Sequence, residues 1–362
     1  MANTKISLFT CNLANASVSP NITTKDVFTC APTIHVEMTQ EDYRPKEAGS
    51  VFATGTIPAT LLPKSTVTLN KGATTQNIVI RLFSTSDVGT ITTGSKAIGA
   101  KGKNNWKFSA QKVLAAIGTG LGASKGAVWI KITLPVPILF VCMHLPMKSK
   151  SADLGLDIRT KALYRILREI SPLVDATTSV FIGGDLNFRM TYDGRNQLTD
   201  VLTTIPFLKE IPFVNEADKI FTCKFKSLEQ KTSGLLGFGQ KISINQTCKQ
   251  KRMTPVPTSA NPNAVHILQN ECGDSHRIPS RCDRFLYNTS PGKDIEVSYQ
   301  KGGPLVPGSD HNAMWTCFEL IDTESGSTQW DANDNAESVY DEGNQSPVGG
   351  RRNMRTRRRY RH

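Results

Sequence analysis

The decapeptide VFIGGDLNFR, residues 180–189, ends an apolar run on two glycines and then sets Asp185 and Asn187 two positions apart. Side chains alternate along a strand, so such a pair presents a carboxylate and a carboxamide to the same side. A carboxylate at the end of a buried strand is costly unless it is paired, hydrated or facing a cation. Taken alone, Asp185 reads as readily as a turn or helix cap; recurrence of the pattern argues otherwise. Asn12, Glu41 and His144 also close apolar segments, Asp283 opens one, and Asp310 with His311 precedes another. Gathered at one rim of a sheet sandwich, these residues make a site of hard oxygen donors with two imidazoles. Oxygen ligands in small number suit Mg2+, which keeps its waters and takes one or two carboxylates beside a substrate phosphate. Phosphoryl transfer asks mainly for positioning and positive charge around the phosphoryl oxygens. The chain has neither a nucleophile elbow with a Ser-His-Asp order nor a Cys-x5-Arg loop, so water is the expected nucleophile.

The elements that must position these groups follow from periodicity. Apolar runs predict strands over 6–13, 33–41, 77–84, 127–134, 138–145, 179–183, 278–288 and 312–320. Leu154, Ile158, Leu163, Ile166, Leu167 and Ile170 recur at helical spacing, predicting an amphipathic helix over 153–171 that stops before Pro172. Strand, helix, strand in that order is an α/β arrangement. Segment 111–117 fits a brief helix or a brief strand. GTGLGASKG (118–126) loosely fits a dinucleotide fingerprint, but it leads into a strand rather than a helix, and it lacks the GK[ST] of a P-loop.

The 362 residues carry a formal charge of +12, which directs attention to anionic partners: nucleic acid, phosphate-rich small molecules or an acidic membrane face. The charge is uneven, with seven acids and no Lys or Arg between Ile321 and Gly350, then seven Arg in RRNMRTRRRYRH. The last forty positions, 323–362, therefore read as an unfolded acidic linker and Arg-rich tail. Segment 227–276 is long, polar and Lys-containing, and loops of this length are usually functional or disordered. The eight cysteines form no CxxC pair and several sit in apolar runs, which predicts reduced thiols of an intracellular protein. No apolar run is long enough to span a membrane, and the amino-terminal segment lacks a signal peptide's apolar stretch.

GDLNFR, RIPSRCDRFL (277–286) and SDH (309–311), in that order, resemble the inositol polyphosphate 5-phosphatase family of the endonuclease/exonuclease/phosphatase superfamily. GASKGAVWIKI, ILFVCMHL and TIHVEMTQED are similar to further segments of that family. The resemblance runs over about residues 5–320 and implies a four-layer α/β sandwich, two packed mixed sheets flanked by helices, as one catalytic domain over 1–322 with 227–276 as a long insertion. It implies that Glu41 with Asn12 holds Mg2+ and that Asp185 orients or deprotonates the attacking water. Asn187 would bond the scissile phosphate or the leaving oxygen, His144 would donate to a phosphate oxygen, and His311 would contact the phosphate, its tautomer held by Asp283, with Asp310 completing the metal-side network. Lys224, Arg277, Lys125 and Arg284 would bind substrate, the basic residues selecting a second phosphate beside the one removed.

The sequence departs from the family at Ile182, Ser124, Lys148, Arg281 and Cys223, the last two bordering the expected ring-binding surface. The expected activity is hydrolysis of the 5-phosphate from a phosphoinositide or a soluble inositol polyphosphate. The rival is a DNA or RNA phosphodiesterase on the same scaffold, and a third reading is a degenerate lipid-binding module. For the Arg-rich tail the choice lies among an anionic membrane, nuclear targeting and RNA, with the membrane preferred. The expected location is cytoplasmic, peripheral at membranes. Nothing in the sequence specifies an oligomeric state.

Overall fold

The computed structural model describes residues 4–13, 21–42, 44, 49–69, 77–98, 125–146, 155–189, 196–215, 218, 280–303, 305–306, 309, 311–324 and 330. The expected insertion at 227–276, segment 111–117 and all of the tail except 323–324 and Trp330 lie outside them.

Two six-stranded mixed sheets pack face to face. The first has the order β11-β12-β1-β2-β4-β3 and the second β5-β6-β7-β8-β10-β9. In the first, β1 (Thr4–Asn12) and β2 (Ile34–Asp42) are parallel neighbours, with β4 (Asn77–Ser84) and β12 (Ala313–Asp322) flanking them antiparallel. The second repeats the scheme, with β7 (Ile138–His144) parallel to β8 (Ser179–Asp185), between β6 (Gly126–Ile132) and β10 (Asp283–Asn288). These eight are the strands the apolar runs predict. The remaining four, β3 (Leu62–Leu69), β5 (Thr92–Ala97), β9 (Lys209–Glu210) and β11 (Lys293–Gly303), are sheet edges with few buried residues. An edge strand with one wet face needs no apolar run, so its sequence reads as loop.

Strands buried on both faces supply three layers of core. Between the sheets, Ile6, Leu8, Val36 and Met38 meet Phe140, Cys142, Phe181 and Phe285. On the outside of the second sheet, α1 (Leu156–Ile170) lays Leu163, Ile166, Leu167 and Ile170 on Leu139, Val141, Val180 and Ile182. A short helix, α2 (Gln197–Leu202), joins the same layer through Leu198 and Val201. On the outside of the first sheet the covering layer, among the described residues, is a 3-10 turn at Asp26–Phe28 with Val51, Phe52 and Leu61, seated on Phe9, Phe83 and Trp315. No helix of the described residues is long and apolar enough to cross a membrane.

The thiol expectation is corrected at one pair. Cys30, just past the 3-10 turn, forms a disulfide with Cys317 on the outward face of β12, at a Cα–Cα distance of 6.5 Å. A separation of 287 residues left no trace of this pairing in the sequence. Cys11, Cys142 and Cys282 are buried thiols.

Candidate active site

The inward phase of the strands decides what caps the sandwich. On β7 the core-facing residues Ile138, Phe140 and Cys142 continue to His144, and on β8 Phe181 continues through Gly183 to Asp185. On β10, Phe285 and Tyr287 follow Asp283, and on β1, Ile6 and Leu8 precede Thr10 and Asn12. Period-2 alternation thus carries four polar residues to the end of an apolar interior. Register aligns three of them in a row, since His144 pairs with Asp185 and Asp185 with Asp283. Gly183 leaves room there for Met38 and Phe285, and Gly184, at φ +135°, brings its backbone against the Met143 carbonyl.

Asp185 is the hub. It is 2% exposed, and such a carboxylate needs partners. Asn12 Nδ2 donates to its Oδ2 across 3.0 Å, His144 Nε2 lies 3.3 Å and His311 Nε2 3.8 Å from the same oxygen, and the Asn187 backbone N–H donates to Oδ1 across 3.1 Å. Burial pushes the Asp185 carboxyl up, but the His311 charge, the hydrogen bond and charge of His144, and Lys125 together outweigh it. The group is held well below the usual carboxylate range. Burial first, and then the Lys125 charge, push the His144 imidazole down against the pull of Asp185 and Glu41. Lys125, whose ammonium contacts His144 Nε2, is itself pushed down by burial despite the attraction of Asp185 and Glu41.

On the other side, His311 Nδ1–H donates to Asp283 Oδ2 across 2.7 Å, which turns Nε2 toward Asp185. The ring is placed by its own backbone N–H, which donates to Ser309 Oγ, while Ser309 in turn donates to the Asn12 carbonyl. Asn187 follows Asp185 with a left-handed φ of +55°. Its Nδ2 donates to the Leu145 carbonyl and its Oδ1 accepts from Arg189 Nη2, at 3.0 and 3.1 Å. A carboxamide nitrogen carries two hydrogens, and the Leu145 bond uses one of them.

Glu41 reaches the cluster from β2, its Oε1 3.9 Å from His144 Nε2 and its side chain 20% exposed. Glu41 and Asp185 thus both bring a carboxylate oxygen within 4 Å of His144 Nε2, and the Lys125 ammonium contacts the same nitrogen. Hard oxygen donors around a seat that attracts positive charge fit a divalent cation. Asp185, Asp283 and His311 also bring one ligand atom each within 4.8 Å of one another. Within that trio, Asp283 Oδ2 is bonded to His311 Nδ1.

The structure thus brings together Asn12, Glu41, Lys125, His144, Asp185, Asn187, Asp283 and His311. Lys224, Arg277 and Asp310 lie outside the described residues. Arg284, expected to meet substrate, is placed elsewhere: its guanidinium pairs with Glu210 at 2.7 Å and approaches Asn196 Oδ1, on the face of β10 opposite Asp283. Neighbouring strand residues point to opposite faces, so a strand that commits Asp283 to the site turns Arg284 away. Arg189, Gln197 and Arg159 were not anticipated. Gln197 Oε1 accepts from the Arg189 backbone N–H and from Arg159 Nη2, at 3.0 and 2.6 Å, supporting the turn that carries Asn187. The signal for Arg159 was present, because it falls on the same helical face as Leu163, Ile166 and Ile170.

Residues 64–315 match the sequence model of Endonuclease/Exonuclease/phosphatase family 2. Among curated proteins none matches the chain. Among solved structures, the inositol polyphosphate 5-phosphatase domain of SPsynaptojanin, in complex with inositol (1,4)-bisphosphate and calcium ion, is 18% identical over 88% of this chain and 85% of its own, with a TM-score of 0.46. A Cimex nitrophorin is 11% identical over 89% of this chain and 99% of its own, at 0.48. A humanized D. rerio TDP2 is 12% identical over 87% and 98%, at 0.43.

Proposed function

Because the chain belongs to Endonuclease/Exonuclease/phosphatase family 2, we propose that it is a phosphoesterase that uses Mg2+ and water to remove the 5-phosphate from a phosphoinositide or a soluble inositol polyphosphate. The observation that carries this reading is the convergence on Asp185 of Asn12, His144 and His311, drawn from both sheets onto one buried carboxylate. The narrowing to inositol phosphates rests on the motif RIPSRCDRFL beside GDLNFR and SDH.

In this reading Glu41 and Asn12 hold the cation, which when bound supplies positive charge to the phosphoryl oxygens and leaving group. Asp185 accepts a hydrogen bond from water and aligns it. A carboxylate held far below its usual range is a weak base, so orientation outweighs proton removal in its contribution. His311, fixed through Asp283, presents Nε2 to the phosphoryl group, and Asn187 offers its second amide hydrogen to a phosphate oxygen. His144 and Lys125 add donors and positive charge on the side of Glu41. Residues 1–322 form the catalytic domain, and the Arg-rich tail holds it at the cytoplasmic, anionic face of a membrane.

The test is phosphate release from soluble inositol polyphosphates and from short-chain phosphoinositides, run beside plasmid nicking, with and without Mg2+. Phosphate release that requires Mg2+ and disappears in Asp185→Ala is expected. Nicking without phosphate release would instead favour the phosphodiesterase reading, to which the basic tail points.

A further inference from the structure

Glu41 stands out of phase with its own strand. On β2 the residues Ile34, Val36 and Met38 face the interior, while His35, Glu37 and Thr39 face outward, and alternation would place Glu41 with the outward set. It meets His144 of the opposite sheet instead, because its backbone takes a left-handed φ of +51°. A left-handed glutamate is uncommon, and such strain persists only where the surroundings impose it.

The register locates the imposition. Thr39 pairs with Val79 on β4 and Asp42 with Asn77, so Gln40 and Glu41 together oppose a single residue, a β-bulge. Asp42 closes that bulge from below. Its Oδ2 accepts from Thr39 Oγ1 at 3.0 Å, ahead of the bulge, and from Arg44 Nη2 at 2.9 Å, beyond it. Its Oδ1 accepts from the Arg44 backbone N–H and Nε, at 3.1 and 3.0 Å, and Arg81 Nη2 reaches across from β4 at 3.4 Å. Arg44 is tied onward to the Gly49 and Ser50 carbonyls. Gln40 is pinned on the inner side, donating to Thr10 Oγ1 and the Met38 carbonyl. With residues on both sides of Glu41 fastened to one carboxylate, the turn between them has little freedom.

We propose that Asp42 is a positioning residue for the divalent cation: by clamping the bulge through Thr39, Arg44 and Arg81, it holds Glu41 in the left-handed turn that aims its carboxylate into the site. This rests on the reading of Glu41 as a cation ligand. It assigns a role in cation affinity to a residue that faces away from the site.

The experiment is calorimetric titration of MgCl2 alone into the full chain, for the wild type, Glu41→Gln and Asp42→Asn, with urea unfolding of each metal-free protein. Second-layer groups around metal ligands are worth roughly 10- to 100-fold in affinity, and a loss of that size is expected in Asp42→Asn. Where Asp42→Asn does not fold, Thr39→Val takes its place, since it removes a bond across the bulge without removing a charge, and a smaller loss is expected. Wild-type cation affinity in the folded clamp variant, while Glu41→Gln binds weakly, overturns the positioning role and leaves the ligand assignment standing. Wild-type affinity in Glu41→Gln overturns both.

Discussion

His311 Nδ1 and Asp283 Oδ2 stand 2.7 Å apart and join the lead-in to β12 of one sheet to the first residue of β10 in the other. The bond fixes which ring nitrogen carries hydrogen toward the acid, and so which one faces Asp185. Asp283→Asn keeps the shape but offers an amide that can equally donate. The turnover number for phosphate release should fall roughly 10²- to 10⁴-fold, the range spanned by a positioned acid–base group, with KM little changed. Steady-state kinetics on an inositol phosphate checks it, and near-wild-type turnover would show that the ring needs no such partner.

Gly184 should tolerate no side chain. A Cβ there would lie 2.0 Å from the Met143 carbonyl oxygen, at a φ of +135°. Gly183 is also crowded, but its nearest neighbour is the flexible Met38 thioether at 2.5 Å. Gly184→Ala should therefore cost about 3 kcal/mol or more, and Gly183→Ala about 1–3 kcal/mol. Urea denaturation of both variants decides the order.

His35 predicts a pH dependence. Burial lowers its pKa to about 3, only partly opposed by its hydrogen bond with Ser7. Between pH 3 and 6.5 the unfolded chain binds a proton at this residue that the native protein does not. Its contribution to stability is thus fully present above 6.5 and is lost as pH falls toward 3. The slope is about 1.4 kcal/mol per pH unit for one proton. In His35→Gln the stability curve, measured by denaturant unfolding from pH 4.5 to about 7, should be flatter by that slope; an unchanged slope would place the proton uptake elsewhere.

Gln197 predicts a distant effect on turnover. It accepts from both Arg159 and the Arg189 backbone, and Arg189 holds the Asn187 carboxamide. Gln197→Leu should lower turnover by roughly 10- to 100-fold through misplacement of Asn187. Gln197→Glu keeps the acceptor, so its kinetics should return most of the loss. Equal kinetics in the two variants would separate Asn187 from this support.

Much of this was legible beforehand because burial on two faces leaves a strong mark. β1, β2, β4, β6, β7, β8, β10 and β12 read as apolar runs, and Asn12, His144, Asp185 and Asp283 stand where those runs end. The edge strand β11, KDIEVSYQKGG, gave no such signal, since part of it faces water. The route by which Glu41 comes to lie near His144 was not legible, because a bulge is a property of two strands and neither sequence contains it. Arg284 is near Asp283 along the chain, but alternation turns its guanidinium to the opposite face, where it pairs with Glu210. The Cys30–Cys317 bond was invisible for want of any local pattern.

The two sheets divide the polar set between them. Asn12, Glu41 and His311 arrive with the first sheet, and Lys125, His144, Asp185 and Asp283 with the second. On the proposed mechanism, neither half alone could hold a substrate phosphate between an imidazole and an oriented water. Turnover therefore doubles as a gauge of assembly: a chain in which one layer has formed and the other has not would be inert, and hydrolysis would begin only when the halves meet.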